Sequence, residues 1–225
     1  MGKAKHNQMG KGHELINQTI VFVKGRLEKA EAGHDWWHTY RVWQNAKHIA
    51  LAEKVNILVV ELSALLHDIA DAKFHDGDET IGPAMAVTFL RQLEVDNATI
   101  QHVANIIRHM SFKNSLEGTT WSSPEMRVIQ DADRLDAIGA IGIARAFSYG
   151  GFKGRSFYDP GMAPNLTMTK EEYKKSTAPT INHFYEKLLL LKDRMNTQTG
   201  KAMAEERHAF MEGFLAQFFK EWEGK

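Results

Sequence analysis

The sequence contains no cysteine, and its 225 residues include only five prolines. Without cysteine the protein can form neither disulfide bonds nor a thiolate zinc site, and this composition fits a reducing compartment such as the cytoplasm. Because proline is scarce, long stretches of chain are free to form helices. No apolar run approaches the roughly 20 residues that a membrane-spanning helix requires. We therefore expect no membrane association.

The chain also lacks an excess of either charge, since Lys+Arg and Asp+Glu are both 28 and the formal net charge is zero. Proteins that bind nucleic acid or membrane surfaces through electrostatics carry a surplus of cations. We therefore expect no nucleic-acid partner. A local basic pocket for a phosphate group is compatible with this balance, and the composition leaves the oligomeric state open.

The length and the 43% hydrophobic content are those of one ordinary globular domain, which we assign to residues 13–225. The first residues, MGKAKHNQMGKGHE, have no apolar stretch of the kind found in secretory signals. We predict that residues 1–12 form a flexible polar tail.

Apolar residues recur at helical spacing along most of the chain, and no segment alternates with a period of two, so the sequence predicts an all-α fold. Asp35 and Asp96 are candidate helix caps, Ser123-Pro124 is a typical helix start, and Thr169 with Glu172 forms a capping box. The expected helices span about 14–32, 36–54, 57–70, 79–94, 97–110, 124–149, 181–195 and 200–222. Between them, residues 151–168 are rich in glycine and proline, and a loop of this length is often functional.

Three segments carry histidine and aspartate together: HDWWHTYRVW (34–43), ALLHDIADAKF (64–74) and IQDADRLDAIGAIGIARAF (129–147). These segments closely resemble those of the HD-domain metal-dependent phosphohydrolases. More narrowly, the chain resembles the small stand-alone bacterial members that act on nucleotides. The resemblance extends from about residue 13 almost to the end of the sequence, and it implies a helical bundle with a metal site in its core.

The resemblance identifies His38, His67, Asp68 and Asp133 as the metal ligands. Two imidazoles with carboxylates suit a catalytic divalent transition metal that keeps positions open for water and substrate. Hydrolytic chemistry favours manganese, and cobalt, nickel, zinc or iron would also suit this ligand set. Asp131 is the alternative to Asp133, and a buried His67–Asp68 hydrogen bond without metal is the alternative reading of the pair.

Asp71 is the candidate catalytic residue. It follows His67 by four residues and Asp68 by three, so a helix continuing through this segment would place it on the same face. From there it could exchange protons with water or with the leaving group. HD-domain pyrophosphohydrolases acting on guanosine alarmones carry an acidic pair after the HD dipeptide, and here Ala72 replaces its second member. A surface carboxylate is the alternative role.

The candidate substrate-binding residues are basic, because a phosphorylated substrate needs cations to neutralise its oxygens. They are Arg41, Lys73, His109 and Lys113. Lys73 and His109 could instead be solvated surface residues, and Arg41 could pair with a ligand carboxylate.

By resemblance, the substrate is a small phosphorylated molecule, and the expected reaction cleaves a nucleoside triphosphate to the monophosphate and pyrophosphate. A phosphatase acting on nucleoside monophosphates could use the same ligands. A noncatalytic nucleotide sensor that keeps the metal as a clamp is the alternative from another class.

Overall fold

The structure, a computed structural model, describes side chains from residue 11 onwards within the backbone ranges given next. The described backbone comprises residues 2–28, 35–70, 78, 80–110, 121–169, 172 and 175–225. These residues form α-helices, two 3-10 turns and irregular connections, and no strand is found among them. The predicted all-α fold is confirmed.

The described α-helices are α1 (Gly2–Leu27), α2 (Trp36–Ala52), α3 (Ile57–Leu66), α4 (Ile81–Gln92), α5 (Asn97–His109), α6 (Pro124–Asp136), α7 (Gly139–Phe152), α8 (Thr180–Glu186) and α9 (Gln198–Trp222). The 3-10 turns are Leu188–Leu190 and Lys192–Arg194. The chain divides into two compact units, Met1–Ala132 and Asp133–Lys225, and the division falls within the continuous helix α6.

The first unit is organised around α3, which packs against α1, α2 and α5, while α4 packs against α5. Leu62, Leu65 and Leu66 of α3 are completely buried. Burying a leucine side chain stabilises a fold by about 1.5–3 kcal/mol. The dipeptide His67-Asp68 therefore follows one of the most firmly packed helices of this unit.

In the second unit α9 and α8 both pack against α7. The contact between α7 and α8 is close at Gly150, where an added Cβ would lie 2.2 Å from Thr180 Oγ1. A guanidinium nitrogen of Arg207, on α9, donates to the Leu135 carbonyl oxygen. Burial lowers the pKa of Arg207, and Asp136 opposes that shift.

Several helix boundaries differ from those expected. The helix α1 begins at Gly2, because a polar segment can still make backbone helical bonds and an apolar face alone does not mark a start. The predicted helix 124–149 is two helices, and the second begins at Gly139, whose φ of 74° is accessible to glycine but breaks a right-handed helix. The flexible tail and the single-domain organisation stay predictions.

No helix among the described residues combines the length and the apolarity required to span a membrane.

Candidate metal centre

The first turn of α2 holds His38. The carboxylate of Asp35 accepts a hydrogen bond from the His38 backbone N–H at 2.9 Å, which confirms Asp35 as the helix cap. The His38 side chain is 4% exposed. The cap therefore fixes the backbone of a buried imidazole at the start of the helix.

The turn that follows α3 holds His67. The helix ends at Leu66 with His67 as its C-cap residue, so the expectation of a helix continuing to Ala70 is wrong. The reason is local, because the imidazole Nδ1 of His67 lies 2.8 Å from the carbonyl oxygen of Ala64, one of the last carbonyls of the helix. The side chain thus binds a carbonyl that, in a further turn of helix, would have accepted a backbone hydrogen bond.

This contact defines the protonation of the His67 ring. A carbonyl oxygen can only accept, so Nδ1 carries the proton and, in the neutral ring, Nε2 presents a lone pair. The Nε2 atom is buried and has no hydrogen-bond partner among the described residues. A buried, unpaired nitrogen is costly in a fold, and a metal ion would satisfy it.

The third element, α6, is held against α2 and α3. The carboxylate of Glu125, at its start, accepts from the Asn56 backbone N–H at 2.9 Å, and Asn56 is the cap of α3. Further along, the Asn45 side chain on α2 donates to the Ala132 carbonyl at 3.2 Å. The next residue on this helix is Asp133.

His38, His67 and Asp133 each offer one ligand atom, and these atoms all lie within 4.8 Å of one another. Two ligands of one ion are at most about 4.4 Å apart, twice the usual metal–ligand distance. The three side chains need to close by only a few tenths of an ångström. The carboxylate of Asp68 lies beside them, with Oδ2 3.9 Å from His38 Nε2. The residues therefore fit a divalent transition metal.

Asp131 and Asp136, the carboxylates that flank Asp133 in the sequence, are not among the possible metal ligands found in the described part of the chain. Asp131 is completely buried. Asp136 forms an ion pair with Arg145. Arg134, the neighbour of Asp133, donates to the Arg194 carbonyl at 2.7 Å.

The other candidate residues are only partly described. Asp71, Lys73 and Lys113 lie outside the described residues. The regular helix ends at Leu66, so helical spacing no longer supports the assignment of Asp71, which stays a prediction that rests on the resemblance. Arg41 is half-buried on α2.

His109, at the end of α5, packs against an aromatic ring, that of Trp121, which the sequence did not indicate. Its Nδ1 is buried without a hydrogen-bond partner among the described residues, and its ring lies 5.5 Å from that of Trp121. Trp121 also contacts His102, whose Nε2 lies 3.0 Å from Ser123 Oγ. Asn45 is a second residue that sequence reasoning missed, since a lone asparagine on a helix gives no signal of its tertiary partner.

Comparison with known proteins identifies the family to which this chain is similar. Residues 36–138 match the family model of the HD domain. The chain is 37% identical over 212 residues to YpgQ of Bacillus subtilis, a match that covers 92% of this chain and 93% of YpgQ.

Two crystal structures extend the comparison. An HD-superfamily hydrolase from Bacillus thuringiensis is 44% identical, with a TM-score of 0.77, and the match covers 95% of this chain and 100% of that one. The complex of B. subtilis YpgQ with ADP is 35% identical, with a TM-score of 0.71 and coverage of 92% and 97%. The chain belongs to the HD superfamily of hydrolases.

Proposed function

We propose that the protein is a metal-dependent phosphohydrolase that cleaves a nucleoside triphosphate to the monophosphate and pyrophosphate. The observation that carries this proposal is the buried, unpaired Nε2 of His67, together with His38 and Asp133. Further support comes from the relative YpgQ, which has been crystallised with ADP.

The proposed ligands are His38, His67, Asp68 and Asp133. The hydrogen bond from His67 Nδ1 to Ala64 keeps the ring in the tautomer that presents Nε2. A divalent cation here, with manganese as the proposed ion, supplies Lewis-acid chemistry that polarises phosphoryl oxygens and makes water more acidic.

We assign the proton transfer to Asp71 and the phosphate contacts to Arg41, Lys73, His109 and Lys113. His109 has the clearest physical support, because its buried Nδ1 lacks a partner among the described residues and Trp121 restrains its ring. A phosphate oxygen would satisfy a protonated nitrogen in such a position.

Metal content tests the ligand set. Wild-type protein incubated with Mn²⁺ and then desalted should retain about one ion per chain by elemental analysis. His67→Ala should retain almost none, because a single-ion site has no spare ligand. The matched control is His48→Ala, an exposed histidine on α2, and it should retain the wild-type amount. Full metal content in His67→Ala would show that the ligands lie elsewhere.

Product analysis tests the reaction. The protein is incubated with Mn²⁺ and a panel of nucleoside mono-, di- and triphosphates, and pyrophosphate and orthophosphate are measured separately. We expect pyrophosphate from triphosphates. Orthophosphate released from monophosphates alone would instead identify a phosphatase, and tight nucleotide binding without any product would identify a sensor.

A further inference from the structure

A second candidate site lies within residues 133–225, in a cavity of about 360 Å³ beside α8 and α9 that is broadly open to solvent. This volume falls in the range of small-molecule pockets and accommodates a one- or two-ring compound. The cavity is lined by Tyr158, Pro164, Ile181, Asn182, Tyr185 and Phe219. None of these residues belongs to the candidate metal centre.

Asn182 is the unusual member of this set, because its side chain is polar and only 1% exposed. Its amide nitrogen Nδ2 donates to the carbonyl oxygen of Met162 at 3.0 Å. The carbonyl can only accept, so this bond fixes the orientation of the amide and identifies the other atom as the oxygen. That oxygen, Oδ1, is buried and has no partner among the described residues.

An acceptor left unpaired under an apolar surface destabilises the fold unless a water molecule or a ligand supplies the donor. Asn182 itself lines the cavity, and its Oδ1 atom is covered by other atoms in this structure. A donor would reach this atom after side chains of the lining move, and side-chain adjustment is common when ligands bind.

The walls of the cavity are aromatic. Tyr158 packs edge-on against Phe219, with ring centroids 5.2 Å apart, and also against Trp222 at 5.2 Å. Burial raises the pKa of Tyr185, and the neighbouring Tyr158 adds to the effect, so Tyr185 is a neutral phenol at physiological pH. Aromatic rings held in this way offer faces and edges against which a flat ring can pack.

The cavity lining contains no charged side chain. The cations of the preceding loop have other contacts, since Arg155 donates to the Ser176 carbonyl and Lys153 lies over the ring of Phe152 at 5.2 Å. A charged ligand would therefore lose its hydration in this cavity without gaining a counter-ion.

We propose that this cavity binds an uncharged, planar nitrogen heterocycle whose N–H group donates to Asn182 Oδ1, with its ring packed against Tyr158, Tyr185 and Phe219. The purine and pyrimidine bases belong to this chemical class. The proposal concerns binding alone and does not depend on the hydrolytic reaction.

The test compares two probes of nearly equal shape. Indole carries a ring N–H, and benzofuran has an oxygen acceptor in its place. Each is titrated into the full-length wild-type protein, and the dissociation constant is measured by NMR. Indole should bind roughly five- to tenfold more tightly, the ratio expected for one neutral hydrogen bond to a buried acceptor.

Two variants locate the binding site. Asn182→Leu removes the acceptor, so indole and benzofuran should bind equally. Phe219→Trp fills part of the cavity and should weaken indole binding at least about tenfold. The matched control is Phe210→Trp, on the same helix, because Phe210 is 57% exposed and does not line the cavity. It should bind indole as the wild type does.

Three results would overturn the proposal: no binding of indole, equal binding of indole and benzofuran by the wild type, or unchanged indole binding by Phe219→Trp. Far-UV circular dichroism establishes that each variant is folded. If Asn182→Leu fails to fold, the comparison of the two probes on the wild type still decides the question.

Discussion

Metal binding should stabilise the folded protein, and Asp133 should be necessary for that effect. The carboxylate of Asp133 lies within 4.8 Å of a nitrogen of His38 and a nitrogen of His67. These residues come from three separate helical segments, so the ligand set exists only in the folded chain. An ion that binds the native state alone stabilises it by mass action.

The magnitude follows from the ratio of free metal to its dissociation constant. At a ratio of 100 the stabilisation is about 2.7 kcal/mol. For a chain of this size each kcal/mol raises the melting temperature by about 2–4 °C, so the expected rise is roughly 5–11 °C. Asp133→Asn keeps the shape of the side chain but removes its charge. If this substitution weakens metal binding about 100-fold, the same metal concentration stabilises the variant by only about 0.4 kcal/mol, which corresponds to a rise in melting temperature of roughly 1–2 °C.

The assay is a thermal unfolding curve recorded with chelator and again with excess Mn²⁺. The wild type should show the large shift and Asp133→Asn the small one. The matched control is Asp193→Asn, because the side chain of Asp193 is 76% exposed, and it should show the wild-type shift. A wild-type shift below about 2 °C, or an equal shift in Asp133→Asn, would refute the proposed centre.

Three further predictions concern other residues. Asp71→Asn should lower kcat by about 10²–10⁴-fold with metal content unchanged, because it removes the proposed general acid–base, and near-normal turnover would assign that role elsewhere. Burial lowers the pKa of His183 from 6.5 to about 4, and the nearby Lys187 and Arg155 add to the shift. In the pH window between these two values the unfolded chain binds a proton at His183 and the native state does not. As pH falls through it, the wild type should therefore lose up to about 3 kcal/mol of unfolding free energy relative to His183→Gln, with no such change above pH 7.5, measured by urea denaturation. Gly150→Ala should destabilise the fold by about 1–3 kcal/mol, because the new Cβ would lie 2.2 Å from Thr180 Oγ1, while Gly151→Ala, which meets nothing within 4 Å, should have little effect in the same urea assay.

Local signals predicted local structure well. The Asp35 cap is present, and Ser123 Oγ accepts from the Met126 backbone N–H at 3.1 Å at the predicted start of α6. The capping box also forms, with the Thr169 backbone N–H donating to Glu172 at 2.7 Å. Each of these features depends on side chains within one turn of the residue that they cap, so the sequence contains all the information required.

Helix ends that depend on tertiary packing were less predictable. In the segment after α8, every residue from Leu188 to Leu191 is apolar, so no periodic pattern distinguishes a continuing helix from the observed 3-10 turn Leu188–Leu190. The end of α3 at Leu66 depends on the contact of a histidine ring with a carbonyl, which no spacing rule reveals.

The candidate centre was predictable only through resemblance. His38, His67 and Asp133 are far apart in sequence, and helical periodicity cannot show that their side chains meet. The supporting contacts, such as that between Asn45 and Ala132, join residues whose types are unremarkable at those positions. They become visible only in three dimensions.

The partner of the His67 ring is a main-chain oxygen, that of Ala64, rather than a side chain. A carboxylate in this role could be lost by a single substitution, whereas every amino acid placed at position 64 would bring the same carbonyl. The orientation of this imidazole is therefore robust to mutation as long as α3 keeps its backbone and its end. Comparison of related sequences at position 64 would consequently reveal nothing about this hydrogen bond. Only a change that alters the path of the helix backbone could remove it.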